Sequence, residues 1–511
     1  MSYVVIVGAG PTGLALACGL AAADVPVRIV EKHDEPATTS RALGLQPRGV
    51  EVLDRLGALA DLPERSVRIA RVVTHVDGRP MAGLRVGQPT KLVKRPGLLM
   101  SQTEVEAALR QRLSALGVEV EWGKELLSVT RDASGVTLSF PGEQIRSAWL
   151  VGCDGAHSRV RKAAGIGFPG VAVIEDFLLA DVQADLPVPS DTVSVWLRAD
   201  SMLGAFPLPG DRLWRLMAPA RRDGMGPGDE GVVGELTRQL RHHAGLDPSV
   251  VAKVLWSSRF RIHRRLASTY RRGRILLAGD AAHIHSPFGG QGMNTGLGDA
   301  ENLAWKLALV ARGAAPDSLL DTYEAERRPL AREVLASTSS LTRLVVGNTP
   351  FARAARDRLF VPLMNRPLVQ RLIWEQSSQL KIHYRNGPLG SRLRDRWPSG
   401  MPQAGDRVPD MPCRRPDGSP TRLHAELGAR WALLAPVPGD ADAYLAVAER
   451  HLASAAPLTP VTPSTALGGH VMLVRPDGHL AWRGNVTASL DTWLRTRLGT
   501  TTNHTPENHD T

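Results

Sequence analysis

Tyr3-Val-Val-Ile-Val-Gly8-Ala-Gly10-Pro11-Thr12-Gly13-Leu14 is an apolar run that breaks into a glycine-rich turn and continues into a second apolar segment reaching Ala22. The run up to Gly8 reads as a buried parallel strand, and the segment from about Leu14 to Ala22 as the helix after it. Gly8, Gly10 and Gly13 keep the GxGxxG spacing between strand and helix, so a pyrophosphate can sit on the helix N-terminus. A second strand, Val27-Arg-Ile-Val30, ends in Glu31 and Lys32, where an acid can accept a ribose hydroxyl. Strand, glycines, helix, strand and acid coincide, which decides a doubly wound α/β nucleotide fold. Glu31 in place of a basic residue favours FAD or NAD over NADP at this turn.

Two further stretches repeat the pattern of a strand ending in a turn before a helix. Ile275-Leu276-Leu277 leads into Gly279-Asp280, and then into Pro287, Gly289, Gly290, Gly292, Met293 and Asn294. A helix with Leu297, Ala300, Leu303, Leu307 and Val310 on its apolar face follows, for which Asn294 or Thr295 is the expected cap. Its N-terminus favours a negative charge, and Asp280 at the strand end can accept hydrogen bonds from a polyol. On the residues alone this is either a ligand-binding turn or a turn whose glycines only relieve strain. Upstream, Trp149-Leu-Val-Gly-Cys-Asp154-Gly155-Ala-His-Ser158-Arg-Val-Arg161 ends a strand in a turn and starts a helix.

Gly279-Asp280 with Pro287 and Gly290-Gln-Gly292-Met293-Asn294 resembles the second flavin signature of the single-component FAD-dependent aromatic hydroxylases, the para-hydroxybenzoate and phenol hydroxylase superfamily. Asp154-Gly155, with Ser158 and Arg161 beyond it, resembles that family's Asp-Gly fingerprint. The resemblance implies FAD held by Gly8, Gly10, Pro11, Thr12, Gly13, Glu31 and Lys32 at the first turn. It further implies that Arg41, Gln102, Asp154 and Gly155 frame the cofactor, and that Asp280 holds the ribityl chain. Pro287 would lie beside the flavin ring, and Gly290, Gly292, Met293 and Asn294 would face its N1–C2 edge. NADPH or NADH is implied as a transient co-substrate met by Arg41, Asp154 and Arg161, since no second GxGxxG unit is present. The implied reaction adds dioxygen at flavin C4a and passes one oxygen, from the hydroperoxide, to an aromatic or polyketide-derived substrate. No residue is named as a catalytic base. Baeyer–Villiger oxidation, antibiotic inactivation, an FAD reductase or dehydrogenase, and a flavin-binding scaffold or sensor stay open as alternatives.

The implied architecture is a Rossmann-like FAD-binding domain, split over residues 1–168 and 260–340, with an inserted β-sheet substrate domain over 169–259 to which 66–100 contribute. Asp191–Arg198 and Leu213–Met217 alternate as strands, and Met202, Phe206, Trp214 and Met217 are read as pocket wall or plain core. Glu324-Ala-Glu-Arg-Arg-Pro329 is read as closing the flavin domain. A helical connector over 341–385 follows, with apolar stretches at Leu341–Val346 and Val369–Trp374 that pack domains together or form a homodimer surface. A Gly/Pro/Ser/Arg-rich linker over 386–405 precedes a region, 406–498, that resembles the thioredoxin-like C-terminal domain of phenol-hydroxylase-type and polyketide-tailoring members. It carries Val471-Met-Leu-Val-Arg475-Pro-Asp477-Gly-His479-Leu-Ala-Trp482 and no Cys-x-x-Cys, so thiol redox work is excluded. Residues 499–511 read as a disordered polar tail.

Composition narrows the remaining classes. The chain has 511 residues, 43% hydrophobic and 22% charged, with a net charge of +11. The basic residues are scattered and mostly arginine, without a lysine-rich tail or aromatic ladder, which disfavours nucleic acid. No apolar run approaches the roughly 18 residues that span a bilayer, and the first strand starts near Tyr3, so no membrane partner and a cytoplasmic location are expected. Cys18, Cys153 and Cys413 lie too far apart for a disulfide framework or a metal site. Arginine-over-lysine and alanine-rich usage points to a GC-rich bacterial source, and taken with the C-terminal domain's resemblance it leans towards natural-product tailoring.

Overall fold

The first strand, β1 (Val4–Val7), is buried along its whole length, as a central parallel strand must be. In the computed structural model, which describes residues 3–39, 42–199, 201–220, 229–285, 290–346, 354–391, 402–436, 441–452, 454–461 and 469–500, β1 pairs in parallel with β2 (Val27–Val30) and β6 (Trp149–Gly152). β13 (Ile275–Leu277) joins β6, and β5 (Val120–Glu121) and the antiparallel edge strand β12 (Arg271–Arg272) complete a six-stranded sheet of order β12-β13-β6-β1-β2-β5. Strands quoted from three distant stretches of sequence therefore lie side by side. Their turns emerge together at one carboxyl edge, the place where open parallel sheets bind ligands.

Helix α1 (Pro11–Ala21) begins at the proline, three residues before the position expected; a proline at the first helical position loses no hydrogen bond. Helix α6 (Gly292–Ala311) is buried from Asn294 to Val310, so its charged residues, like its leucines, must find partners inside the protein. Asn294 does not cap it. The helix starts two residues earlier, and Asn294 is turned inward for another task described below.

A second sheet of eight strands carries the order β14-β11-β7-β10-β9-β8-β3-β4. It contains β7 (Gly170–Ala184), β8 (Thr192–Arg198), β9 (Ser201–Pro207), β10 (Leu213–Pro219), β11 (Val251–Leu266) and β14 (His283–Ile284). Strands β3 (Arg71–Val76) and β4 (Arg79–Arg85) are supplied by the earlier stretch, β3 lying parallel to β8. Side chains alternate across this sheet. Leu178, Ala180, Trp214 and Leu216 pack under α5 (Asp229–Gln239), while Leu179, Leu197, Met202 and Met217 point to the other face.

In the C-terminal region, β15 (Trp431–Leu434) crosses through α9 (Ala441–His451) to the parallel β16 (Ala455–Pro460). The hairpin of β17 (Val471–Val474) and β18 (Leu480–Gly484) and then α10 (Thr487–Trp493) follow, giving the sheet order β16-β15-β17-β18 with two short strands beyond β16. This strand-helix-strand, hairpin, helix sequence is the thioredoxin-like arrangement.

Helix α7 (Asp321–Val346) continues through Pro329, so the chain stays helical across Glu324–Pro329. The described ends of the 386–405 linker are pinned: Ser391 N donates to Ala404 O at 3.2 Å and Gly405 N to Leu480 O at 2.7 Å. Thr500 is buried, its hydroxyl donating to Leu494 O at 3.0 Å, so the expected tail starts after it and lies outside the described residues. Among the described residues no helix is long and apolar enough to cross a membrane.

Candidate active site

The glycines of the first turn have different jobs. A β-carbon on Gly8 would stand 2.4 Å from Cys153 O, and one on Gly13 would stand 2.0 Å from Gly8 O, so these two permit the strand, turn and helix to close on one another. Gly10 has an ordinary φ of −74° and nothing within 4 Å of a β-carbon placed on it, although it lies on the wall of a large cavity. The space left open there suits a pyrophosphate against the N-terminus of α1, and Pro11 and Thr12 line the same wall. Glu31 Oε2 accepts Ala9 N at 2.9 Å, which holds the turn against β2. Lys32 is exposed and stands apart from the cavity wall.

At the second turn the cavity wall includes Asp280, Gly290, Gly292 and Met293. Asn294 is 1% exposed, and it ties two loops together: Oδ1 accepts Gln46 N at 2.8 Å, while Nδ2 donates to Gly290 O at 2.8 Å and Gly44 O at 3.3 Å. The first intrahelical bond runs from Thr295 N to Gln291 O, so the amides of residues 292–294 precede the ladder and direct the helix's positive end to the cavity. Asp299, one turn further along α6, accepts Gly279 N at 3.1 Å, His283 Nε2 at 2.6 Å and Arg327 Nε at 2.7 Å. This buried carboxylate anchors the Gly279–Asp280 turn to the helix. Sequence reading missed it, the only signal being an acid amid the apolar face of Leu297, Ala300 and Leu303.

At the Asp-Gly turn only Cys153 and Gly155 reach the cavity. The Asp154 carboxylate accepts Ser158 Oγ at 2.5 Å, Arg159 N at 2.7 Å and Val160 N at 3.1 Å, so it caps helix α4 (Arg159–Ala163). Arg161 is 5% exposed, donating to Ala281 O at 2.9 Å and Ala156 O at 3.0 Å with Phe168 beneath its guanidinium. It staples two turns from behind and does not face the cavity, which corrects its reading as a nicotinamide contact. Gln102, at the start of α3 (Gln102–Ala115), lines the cavity and donates to Glu106 Oε1 at 2.7 Å. Arg41 and Pro287 lie outside the described residues.

These turns open into one cavity of about 1180 Å³ that continues over the eight-stranded sheet. Met202, Phe206 and Met217 line it, whereas Trp214 lies on the opposite face against α5, where its core reading holds and its pocket-wall reading does not. Positions three apart on a strand point to opposite sides. Arg215, held by Asp181 through Nε at 2.6 Å and Nη2 at 2.8 Å, brings a charge into this largely apolar wall. The far side is roofed by Val361, Met364 and Trp374, the last from α8 (Pro367–Ser377) and from a stretch the sequence reading assigned to domain packing or self-association.

Asp280 is open to the cavity yet ringed by protein, and burial pushes its carboxyl up, with His283 opposing and Asp299 adding to the shift. A folded-state pKa above the unfolded one means that stability is lost as pH rises through that window. Asp280→Asn therefore melts higher than the parent apoprotein at neutral pH, and the gain vanishes below the ordinary aspartate pKa. The same variant binds FAD about tenfold more weakly, the loss of one charge-assisted hydrogen bond; calorimetric melting and FAD titration check both halves.

The site thus defines a flavoprotein: a dinucleotide cradle at the sheet edge, a helix dipole at one end of the cavity and an apolar chamber beyond it. The FAD binding domain family matches residues 1–338, and the family described as aromatic-ring hydroxylase, C-terminal, matches residues 401–501. The chain is 34% identical over 522 residues to 6-methylpretetramide 4-monooxygenase of Streptomyces rimosus, covering 97% of this chain and 92% of that protein. It is 38% identical over 404 residues to rifampicin monooxygenase of Streptomyces venezuelae, covering 77% and 83%. The solved OxyS anhydrotetracycline hydroxylase from Streptomyces rimosus superimposes with a TM-score of 0.79 at 32% identity, covering 98% of this chain and 99% of that one. The chain belongs to the FAD-dependent aromatic-ring hydroxylases. It is an FAD-dependent monooxygenase, and NAD(P)H is the family's reductant.

Proposed function

We propose that this monooxygenase hydroxylates a polycyclic, polyketide-derived phenol held between the β-sheet wall and the helical roof. The observation that carries the reading is the continuous cavity that runs from the nucleotide cradle to a largely apolar chamber whose wall carries the Arg215 guanidinium, itself held by Asp181. Bound FAD supplies two-electron reduction by NAD(P)H and the activation of dioxygen. The chain's own part is binding and electrostatics. Gly10, Pro11 and Thr12 would make room for the pyrophosphate, Asp280 would accept hydrogen bonds from the ribityl hydroxyls, and the positive end of α6 would stabilise negative charge on the reduced flavin. Met202, Phe206, Met217 and the roof exclude water from the reacting carbon.

The test follows flavin bleaching by NADPH and by NADH with and without polycyclic phenols, then analyses products formed under labelled dioxygen. Reduction accelerated by a phenol, with one labelled oxygen on the ring, supports the reading; NAD(P)H oxidation that yields only peroxide with every phenol overturns it. Identity to rifampicin monooxygenase favours antibiotic modification as the second reading, so rifampicin belongs in the panel. Val195→Trp, on the sheet wall, is expected to fill the chamber and raise KM for the accepted phenol about tenfold or more with FAD content unchanged.

Two coarser readings accompany this one. Leu368 and Leu372, 76% and 59% exposed on the outer face of α8, support a homodimer, which a monomer in sedimentation velocity at micromolar concentration would exclude. The unpaired thiols of Cys18, Cys153 and Cys413 suit a reducing, cytoplasmic compartment.

A further inference from the structure

The hairpin Arg475-Pro-Asp477-Gly-His479 joins β17 to β18 in the C-terminal domain, yet all its charged groups are buried against the flavin-binding part of the chain. Asp477 is 0% exposed. Its Oδ2 accepts Asn302 Nδ2 and Trp305 Nε1, both at 3.2 Å and both from α6, and its backbone carbonyl accepts Arg48 Nη2 at 3.0 Å. Arg475 is gripped by Asp477 and reaches Glu326 of α7 through Nη1 and Nη2, each at 2.9 Å. Gly478, at φ +73°, lets the hairpin tip pass Arg55, whose Nη1 would be 3.2 Å from a β-carbon there.

Of the elements gripped in this way, α6 reaches the cavity with Gly292 and Met293, and the chain enters the gripped helix at residues 47–56 from Gln46, which also lines it. Arg48 is the second residue of α2 (Pro47–Leu56), two positions after Gln46, the residue whose amide is held by Asn294 at the start of α6. Glu301, two turns along α6, accepts Arg48 Nη2 at 2.9 Å and Arg55 Nε at 2.5 Å. Arg327, next to Glu326, donates to Thr295 O at 2.9 Å and to Tyr384 Oη at 3.1 Å, and the Tyr384 ring lies 4.3 Å from that of His479. From the hairpin to the cavity the contacts are continuous and directional.

Buried ion pairs add little net stability over apolar residues of equal volume, because desolvation offsets their attraction. What they fix is geometry, since each charge must face its partner or remain unpaired in the interior. We propose that Asp477 is a positioning residue: the C-terminal hairpin sets the placement of α6 against Gln46, and thereby the shape of the flavin end of the cavity. This rests on the FAD assignment made above. It also gives the redox-inert thioredoxin-like domain a task.

Asp477→Asn keeps the size of the side chain and removes its charge. The full-length variant is expected to bind FAD about tenfold more weakly, equivalent to 1.4 kcal/mol, and to show a shifted visible flavin spectrum when saturated. Leu434→Ala, in the C-terminal core away from α6, lowers the melting temperature but leaves FAD affinity and spectrum unchanged. Trp305→Phe removes the indole donor to Asp477 along with part of the ring that meets Trp431 and Arg475, and shifts affinity and spectrum in the same direction, so the question stays answerable if Asp477→Asn does not fold. FAD affinity and spectrum unaltered in the folded variants, or altered equally by Leu434→Ala at matched loss of melting temperature, overturns the proposal. Failure of the parent protein to bind FAD would instead overturn the cofactor assignment.

Discussion

Gly10→Val is expected to give a folded protein that melts within a few degrees of the parent apoprotein and retains no FAD after gel filtration. Gly10 is extended at φ −74° and ψ −179°, a conformation open to any residue. A β-carbon there meets nothing within 4 Å. The structural cost is confined to a poorer residue at the start of α1, about 1 kcal/mol. The added methyl groups stand where the pyrophosphate must touch backbone, so binding is lost by exclusion alone. Gly13→Ala provides the contrast. Its β-carbon would lie 2.0 Å from Gly8 O, so strand and helix must part and the melting temperature falls together with FAD binding. Flavin absorbance and thermal melting of the two variants separate a ligand-facing glycine from a packing one.

Asp299→Ala is expected to destabilise the apoprotein by about 3–5 kcal/mol, the usual cost of leaving a buried cation without its partner. Asp299 is fully buried and receives hydrogen bonds from Gly279 N, His283 and Arg327. Burial would push its carboxyl up, but His283 and Arg327 outweigh this and hold it below the ordinary aspartate range. Because the folded-state pKa is depressed, the contribution is complete at neutral pH and is lost only as pH falls through that depressed value. Denaturant titration at neutral and acid pH reads the effect. The variant should also lose FAD, since the turn that presents Asp280 is no longer tied to α6. A parent-like melting temperature in Asp299→Ala would show that the turn is held by other means.

Much of the site was legible before any coordinate because its motifs are local. Gly8 to Gly13, Asp154-Gly155 and Gly279 to Asn294 each pair a strand end with a turn and a helix start, and strand pairing through β1 brings the three to one edge. Trp214 was left between wall and core although its parity with Met217 was visible, because both residue types suit a wall or a core equally well. Asn294 was read as a cap because its residue type favours that role; instead it spends its side chain on Gln46, 248 positions away. Of the roof, Val361 and Met364 fell in the helical connector without a role and Trp374 in a stretch read as domain packing or a homodimer surface, since an apolar helix face does not say which element covers it.

The sequence by itself determined the nucleotide fold and the strand-turn-helix units at its edge, because apolar periodicity and glycine spacing act over a few residues and depend on nothing distant. Only the tertiary structure decided which charges are buried and what they hold. Asp477 meets Asn302 across 175 positions and Arg475 meets Glu326 across 149, separations at which no local pattern records a partner. A charge in the interior is tolerable only when its partner arrives from another element. The side chains that orient the site are therefore the ones whose meaning appears only once the chain has closed on itself.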